Sequence, residues 1–142
     1  MKKNEFNPSI ISEVEALLVK GKETEHRNTQ EALLLGEKAL QLSKEFQLPR
    51  QTANSYVLIG RCHWINGNFE EALECFSKTL DICDEFQSDH SKVEAIIGIG
   101  NVYLTIKMYD QALTNYNQAL DICKEQEFDV LESKILNNIG AM

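Results

Sequence analysis

Nothing in this chain commits it to chemistry, to a membrane or to nucleic acid. No apolar run approaches the roughly 20 residues that a membrane helix needs. After Lys2 and Lys3 the amino terminus turns mixed in polarity, with Glu5, Asn7, Glu13 and Glu15, so no signal-peptide core follows. Basic residues are in deficit, 14 Lys+Arg against 22 Asp+Glu, for a formal charge of -8. No Lys/Arg run offers a cationic track for a phosphate backbone, and nucleic acid is not expected as a direct partner. The four cysteines, Cys62, Cys75, Cys83 and Cys123, show neither C-x-x-C spacing nor clustering with His26, His63 or His90. They read as reduced, small buried hydrophobes of a cytoplasmic protein.

Catalytic signatures are equally sparse. There is no Gly-rich phosphate loop, nucleophile elbow or metal-ligand spacing, so no cofactor, metal or enzymatic activity is expected. Cys62 and His63 are adjacent in sequence, and adjacent helical residues project about 100° apart. A dyad between them would have to form across helices, with no supporting motif.

What is present is repetition. Asn68 to Glu85, NFEEALECFSKTLDICDE, returns forty positions later as MYDQALTNYNQALDICKE, Met108 to Glu125. Ala72/Ala112, Leu73/Leu113, Phe76/Tyr116, Leu80/Leu120 and Cys83/Cys123 match at one offset, the mark of an array. Forty positions earlier, Glu31, Ala32, Leu33 and Leu40 supply a third copy, and Ile59-Gly60, Ile99-Gly100 and Ile139-Gly140 share a second register. The unit therefore has an A segment carrying Gly and a B segment carrying Ala-Leu. Helical spacing and the absence of any period-two run predict an all-α chain of antiparallel helix pairs stacked as a superhelix. The pairs span about 9–46, 49–86 and 89–126, with a half-repeat at 129–142, all in one domain.

Local signals set the boundaries. Asn7 or Ser9 caps A1, with Pro8 tolerated in the first turn. A1 runs to about Lys20, which stands where the other A segments have Gly. Gly21 to Arg27 is then a charged connector. Asn28 with Glu31, Asn68 with Glu71 and Asp129 with Glu132 have capping-box spacing, whereas Met108 cannot cap B3. Pro49 opens A2, and Gly67 suits a positive-φ turn before B2. The periodicity expects a B4 helix beyond Met142, so the chain reads as part of a longer protein.

Gly60 with Ala72 and Phe76, and Gly100 with Ala112 and Tyr116, resemble the tetratricopeptide repeat over nearly the whole chain. Its usual unit is about 34 residues, so the forty-residue spacing resembles the longer repeats of bacterial regulators and cell-polarity adaptors, with the extra residues placed between B and the next A. Copy one has Gly36 where the aromatic belongs. The resemblance implies a right-handed solenoid whose A helices line a concave face that docks extended or helical peptides. It also implies that such arrays precede a signalling output domain, for instance a diguanylate cyclase or a histidine kinase.

Carried onto this chain, the groove positions are Asn54, Val57, Arg61, Trp64 and Ile65 from A2 and Glu94, Ile97, Asn101, Leu104 and Thr105 from A3. From A4 they are Ser133, Asn137, Asn138 and Ala141. Asn101 and Asn138 match a motif whose amides hold partner backbones, an amide offering donor and acceptor on one short arm. Trp64 has two readings, a binding hot spot or packing of A2 on A3. Arg61 has three, a ligand carboxylate, a solvated surface position or an internal partner such as Glu94. The lysine and asparagine set of a chaperone-tail clamp is not assembled, because Leu17 and Gly21 occupy its A1 positions. Self-association through the open A4 helix, giving a homodimer, is the alternative function.

Overall fold

The alternating segments fold as seven helices in the computed structural model, which describes residues 8–142. They are α1 (Pro8–Thr24), α2 (Thr29–Glu45), α3 (Pro49–Ile65), α4 (Phe69–Phe86), α5 (Asp89–Thr105), α6 (Tyr109–Gln126) and α7 (Asp129–Gly140), with no strand among the described residues. The cap expected at Asn7 lies outside the described residues. Each helix packs on the next in sequence. Beyond that, α1 meets α3, α3 meets α5 and α5 meets α7, while the backbones of α2 and α4, and of α4 and α6, stay apart. The odd-numbered A helices therefore form the tighter inner layer, and the B helices fan out behind them.

Small residues set the spacing between layers. Ala32, Ala72 and Ala112 are fully buried where each B helix crosses its A helix. A Cβ on Gly60 would stand 2.7 Å from Phe76 Cε1, and one on Gly100 would stand 2.7 Å from Tyr116 Cε1. Only hydrogen fits there, so the aromatic ring of B lies directly on the backbone of A. In the first pair, where Gly36 replaces the aromatic, α3 fills the volume instead. Leu58 and Ile59 approach Gly36, and a Cβ there would lie 3.0 Å from Ile59 Cγ1.

Four local expectations need correction. Helix α1 runs through Gly21 to Thr24, because Gly21 is buried against Leu58, where an added Cβ would lie 2.5 Å from Cδ2. The connector is thus shorter than expected, and A1 does possess a small contact residue, one position beyond Lys20. The extra length of the unit also lies in the helices themselves. From Pro49 to Asp89 is forty positions, α3 takes 17 and α4 takes 18, and only five remain for both turns. Asn28 does cap α2, accepting from Glu31 N–H at 3.1 Å, but Asn68 makes no side-chain cap bond. Asp129 is already inside α7, with Phe128 at the cap.

At the carboxy-terminal ends the helices are closed by a recurring backbone device. Gln47, Gln87 and Glu127 recur at the forty-residue offset with φ of 53°, 52° and 58°, and Lys107 (65°) repeats Gly67 (82°). In each case the following N–H reaches back to a carbonyl of the last turn, as in Leu48 to Ser43 (2.8 Å) and Phe128 to Cys123 (2.9 Å). This is the left-handed closure that satisfies orphan carbonyls.

Candidate functional site: a groove along the inner helices

Two adjoining pockets run along the inner layer. One, of about 230 Å³, is walled by Glu15, Leu18 and Lys22 of α1, Asn54, Val57 and Arg61 of α3, and His90 and Glu94 of α5. The other, of about 240 Å³, continues past Arg61 and Glu94 to Trp64, Ile97, Asn101, Leu104 and Thr105, and ends on Lys134 and Asn138 of α7. Arg61 and Glu94 belong to both, so the pair forms one groove with a polar waist.

At the waist the charges are partly committed. Glu25, 3% exposed in its side chain, sits in the turn after α1 and takes the Arg61 guanidinium, with His26 at 3.6 Å. Its other oxygen, Oε2, is buried without a hydrogen-bond partner. Arg61 therefore pairs with Glu25 rather than with Glu94, and this contact ties the α1–α2 turn to α3. Glu94 is held instead by His90 Nδ1 at 3.2 Å. That hydrogen bond pushes the His90 imidazole above its usual value, against burial. Burial works to raise Glu94, but the bond and charge of His90, joined by the charges of Lys22 and Arg61, hold the carboxyl below its usual range.

The groove residues expected from sequence are placed as follows. Asn54, Val57, Arg61 and Glu94 wall the first pocket, and Trp64, Ile97, Asn101, Leu104, Thr105 and Asn138 wall the second. Val57 and Ile97 are 5% and 2% exposed and so form floor rather than rim. Ile65, Ser133, Asn137 and Ala141 line neither pocket. Much of the polar lining is internally bonded. Ser91 donates to Asn54 Oδ1 at 2.5 Å, Trp64 Nε1 donates to Thr105 Oγ1 at 2.9 Å, and Asn101 Oδ1 accepts from both Tyr116 (2.5 Å) and Asn138 (3.0 Å). Trp64 thus bridges α3 and α5 while one face lines the groove.

Sequence reasoning passed over Lys22, Glu25, His26, His90 and Lys134. One signal was legible: Lys134 is in register with Asn54 and Glu94 at the forty-residue offset. The α1 contributions were not, because Glu15, Leu18 and Lys22 precede Asn54, Val57 and Arg61 by 39 positions rather than forty.

The thiols are placed against nucleophilic use. Burial, with Glu25 adding and Arg61 partly opposing, pushes Cys62 up to about 12, and burial takes Cys75 and Cys83 up to about 11. A protonated, buried thiol is a poor nucleophile. Among the described residues no helix is long and apolar enough to cross a membrane.

Stacked helix pairs with a groove along one layer define the class, an all-α solenoid. A profile of the tetratricopeptide repeat matches residues 51–125, more than half of the chain, and the chain belongs to that family. The crystal structure of the TPR domain of Arabidopsis FLU is similar in fold, with a TM-score of 0.72 and 20% sequence identity over 82% of this chain and 98% of that one. At that identity the likeness concerns the fold alone. No curated protein matches the chain in sequence.

Proposed function

We propose that the chain is a non-catalytic scaffold whose inner groove holds a peptide or a segment of a partner protein. The observation that carries this reading is the continuity of the two pockets, about 230 and 240 Å³, across Arg61 and Glu94. Together they give a track with an apolar floor (Val57, Ile97, Leu104) and polar edges, which suits an extended backbone with alternating side chains. Asn54, Trp64, Asn101 and Asn138 are the rim contacts of this reading, and Asn137 extends it at the α7 end. Trp64 is the sole tryptophan, so its fluorescence reports occupancy directly. Titration with peptide libraries should move that signal saturably, and Leu104→Lys should abolish the change while leaving helicity intact. A signal unmoved by every library would remove the groove as a binding face.

In this reading the array is the sensory or scaffolding part of a larger cytoplasmic signalling protein, with a diguanylate cyclase or histidine kinase as output. The support is the resemblance to long-repeat regulators. A reading frame that closes at Met142 would sink it. One observation favours self-association as a second reading. Gly140 is in register with Gly60 and Gly100, yet nothing lies within 4 Å of a Cβ built on it, and Leu136 nearby is 51% exposed. Light scattering over a concentration series should then show a dimer that Leu136→Lys dissolves; a monomer throughout removes that alternative.

A further inference from the structure

Among the described residues, two side-chain polar atoms are buried with no hydrogen-bond partner, Glu25 Oε2 and His63 Nδ1. His63 lines neither pocket of the groove, whereas Glu25 lines the first. Arg61 Nη2 engages only Oε1 of Glu25, and His26 approaches that same oxygen at 3.6 Å. The turn that carries Glu25 is itself fixed. Thr29 Oγ1 donates to the Glu25 carbonyl at 2.6 Å, and the N–H groups of Arg27 and Asn28 both reach Thr24 O, at 3.1 and 2.7 Å. A carboxylate oxygen withdrawn from water and given no donor is costly. A donor arriving through the pocket that Glu25 borders removes that cost.

The rest of the lining says what kind of donor fits. Glu15, Glu25 and Glu94 stand against Lys22 and Arg61, and His90 closes that gap only while it is protonated. Glu15 and Lys22 are exposed. The better buried charges are therefore two carboxylates, Glu25 and Glu94 with side chains 3% and 17% exposed, and one guanidinium, Arg61 at 21%. Leu18, Val57 and Leu58 supply aliphatic wall, a surface for a methylene stem whose charged end needs a partner.

Resting on the groove reading, we propose that the first pocket takes a cationic nitrogen on an aliphatic stem, an ammonium or guanidinium that donates to Glu25 Oε2 while its stem lies on Leu18, Val57 and Leu58. Arg61 opposes a second cation beside Glu25, and Glu94 in the same lining offsets it. The cation has two sources, a Lys or Arg side chain of the docked segment or a free alkylamine.

The test uses the isotope-labelled 142-residue chain. Trp64 fluorescence reads occupancy of the groove, and the amide shifts of Glu25, Val57 and Leu58 read the first pocket. The probes are n-butylamine and three pools of end-blocked nine-residue peptides, randomised except for a central Lys, Arg or Gln. The Lys or Arg pool should bind about tenfold more tightly than the Gln pool, as for one added charge-assisted hydrogen bond, and should shift those three amides. Glu25→Gln should bring that ratio close to one, and Glu94→Gln should lower it. Where Glu25→Gln fails to fold, as circular dichroism would show, Glu94→Gln decides, and an unchanged ratio overturns the proposal. A ratio that survives Glu25→Gln in a folded chain does the same. Pools that bind equally, with n-butylamine silent, mean that water alone meets Oε2; the proposal falls and the groove reading stands. Saturable shifts from n-butylamine with no binding by any pool assign the site to a free amine and remove the groove reading. Silence from every probe removes both.

Discussion

Phe76 and Tyr116 occupy the same position in successive repeats, both fully buried, and their surroundings diverge at the one atom that distinguishes them. The Phe76 ring is held from two sides, by Gly60 of its own pair and by Gly98 of the next, where a Cβ would come within 2.4 Å of Cζ. Forty positions on, Gly98 becomes Asn138 and Arg61 becomes Asn101. The Tyr116 hydroxyl meets that pair, donating to Asn101 Oδ1 at 2.5 Å while Asn138 Nδ2 donates to the same oxygen at 3.0 Å. Burial keeps the phenol protonated, its pKa pushed up to about 12 although Asn138 partly opposes this. The array thus copies shape from unit to unit but not polarity. A hydroxyl in one copy is accompanied by two amides, and its absence in another by a glycine and an arginine directed elsewhere.

Breaking the dry site should have the largest effect. Phe76→Ala empties the space between Gly60 and Gly98 and should cost about 3–5 kcal/mol, read as a large loss of melting temperature. Phe76→Tyr converts the dry site toward the wet one without its amides. The added hydroxyl points at the Gly98 backbone, so a loss on the order of 1–3 kcal/mol is expected; a neutral result would mean that the two sites are interchangeable after all. On the wet side, Asn101→Ala leaves a buried phenol without its acceptor and should cost about 1–3 kcal/mol. The same change made on a Tyr116→Phe background should cost less, a coupling that a double-mutant cycle measures. Tyr116→Phe alone should cost about 0.5–1.5 kcal/mol. From sequence, Asn101→Ala would be expected to spare the fold and weaken only partner binding; the Tyr116 bond gives it a structural cost as well.

The smallest effect concerns pH. His90 titrates above its ordinary value of 6.5 because of the Glu94 hydrogen bond. Its contribution is therefore complete below about that pH and is lost as pH rises through the raised value. Glu94, held below its ordinary 4.5 against burial, contributes above about 4.5 and loses its contribution as pH falls through the lowered value. The pair should favour the fold most between these limits. His90 is exposed, so the effect should stay below about 1 kcal/mol. Melting at pH 5.5 and 8.5 should show a small decline for the parent and a flatter response for His90→Gln; equal slopes would argue that the bond contributes nothing.

The helices were legible because their signals are local. Ala-Leu in B, Gly in A, Pro49 and the Asn-Gly turn before α4 all act within a few residues, and repetition at forty positions amplified each. The closures at Gln47, Gln87 and Glu127 were not, since nothing about glutamine or glutamate suggests a left-handed conformation. At the groove, Asn54, Arg61, Trp64, Glu94 and Asn101 were implied by the family resemblance carried along the register. Their bonding was not, because Ser91, Thr105 and Tyr116 reach them from other helices and Glu25 from the turn after α1, over sequence separations of 15 to 41 residues.

Residue order was enough to establish an all-α array and its period, because periodicity and small-residue spacing are properties of single helices and of neighbours joined by short turns; the layer that faces inward was implied by the family resemblance. Which charges remain free in the groove depended on folding. Glu25 and Arg61 are 36 positions apart, and only the packing of the turn after α1 on α3 makes them partners. That Glu25 takes Arg61 while His90 takes Glu94 follows from side-chain distances that no repeat pattern encodes.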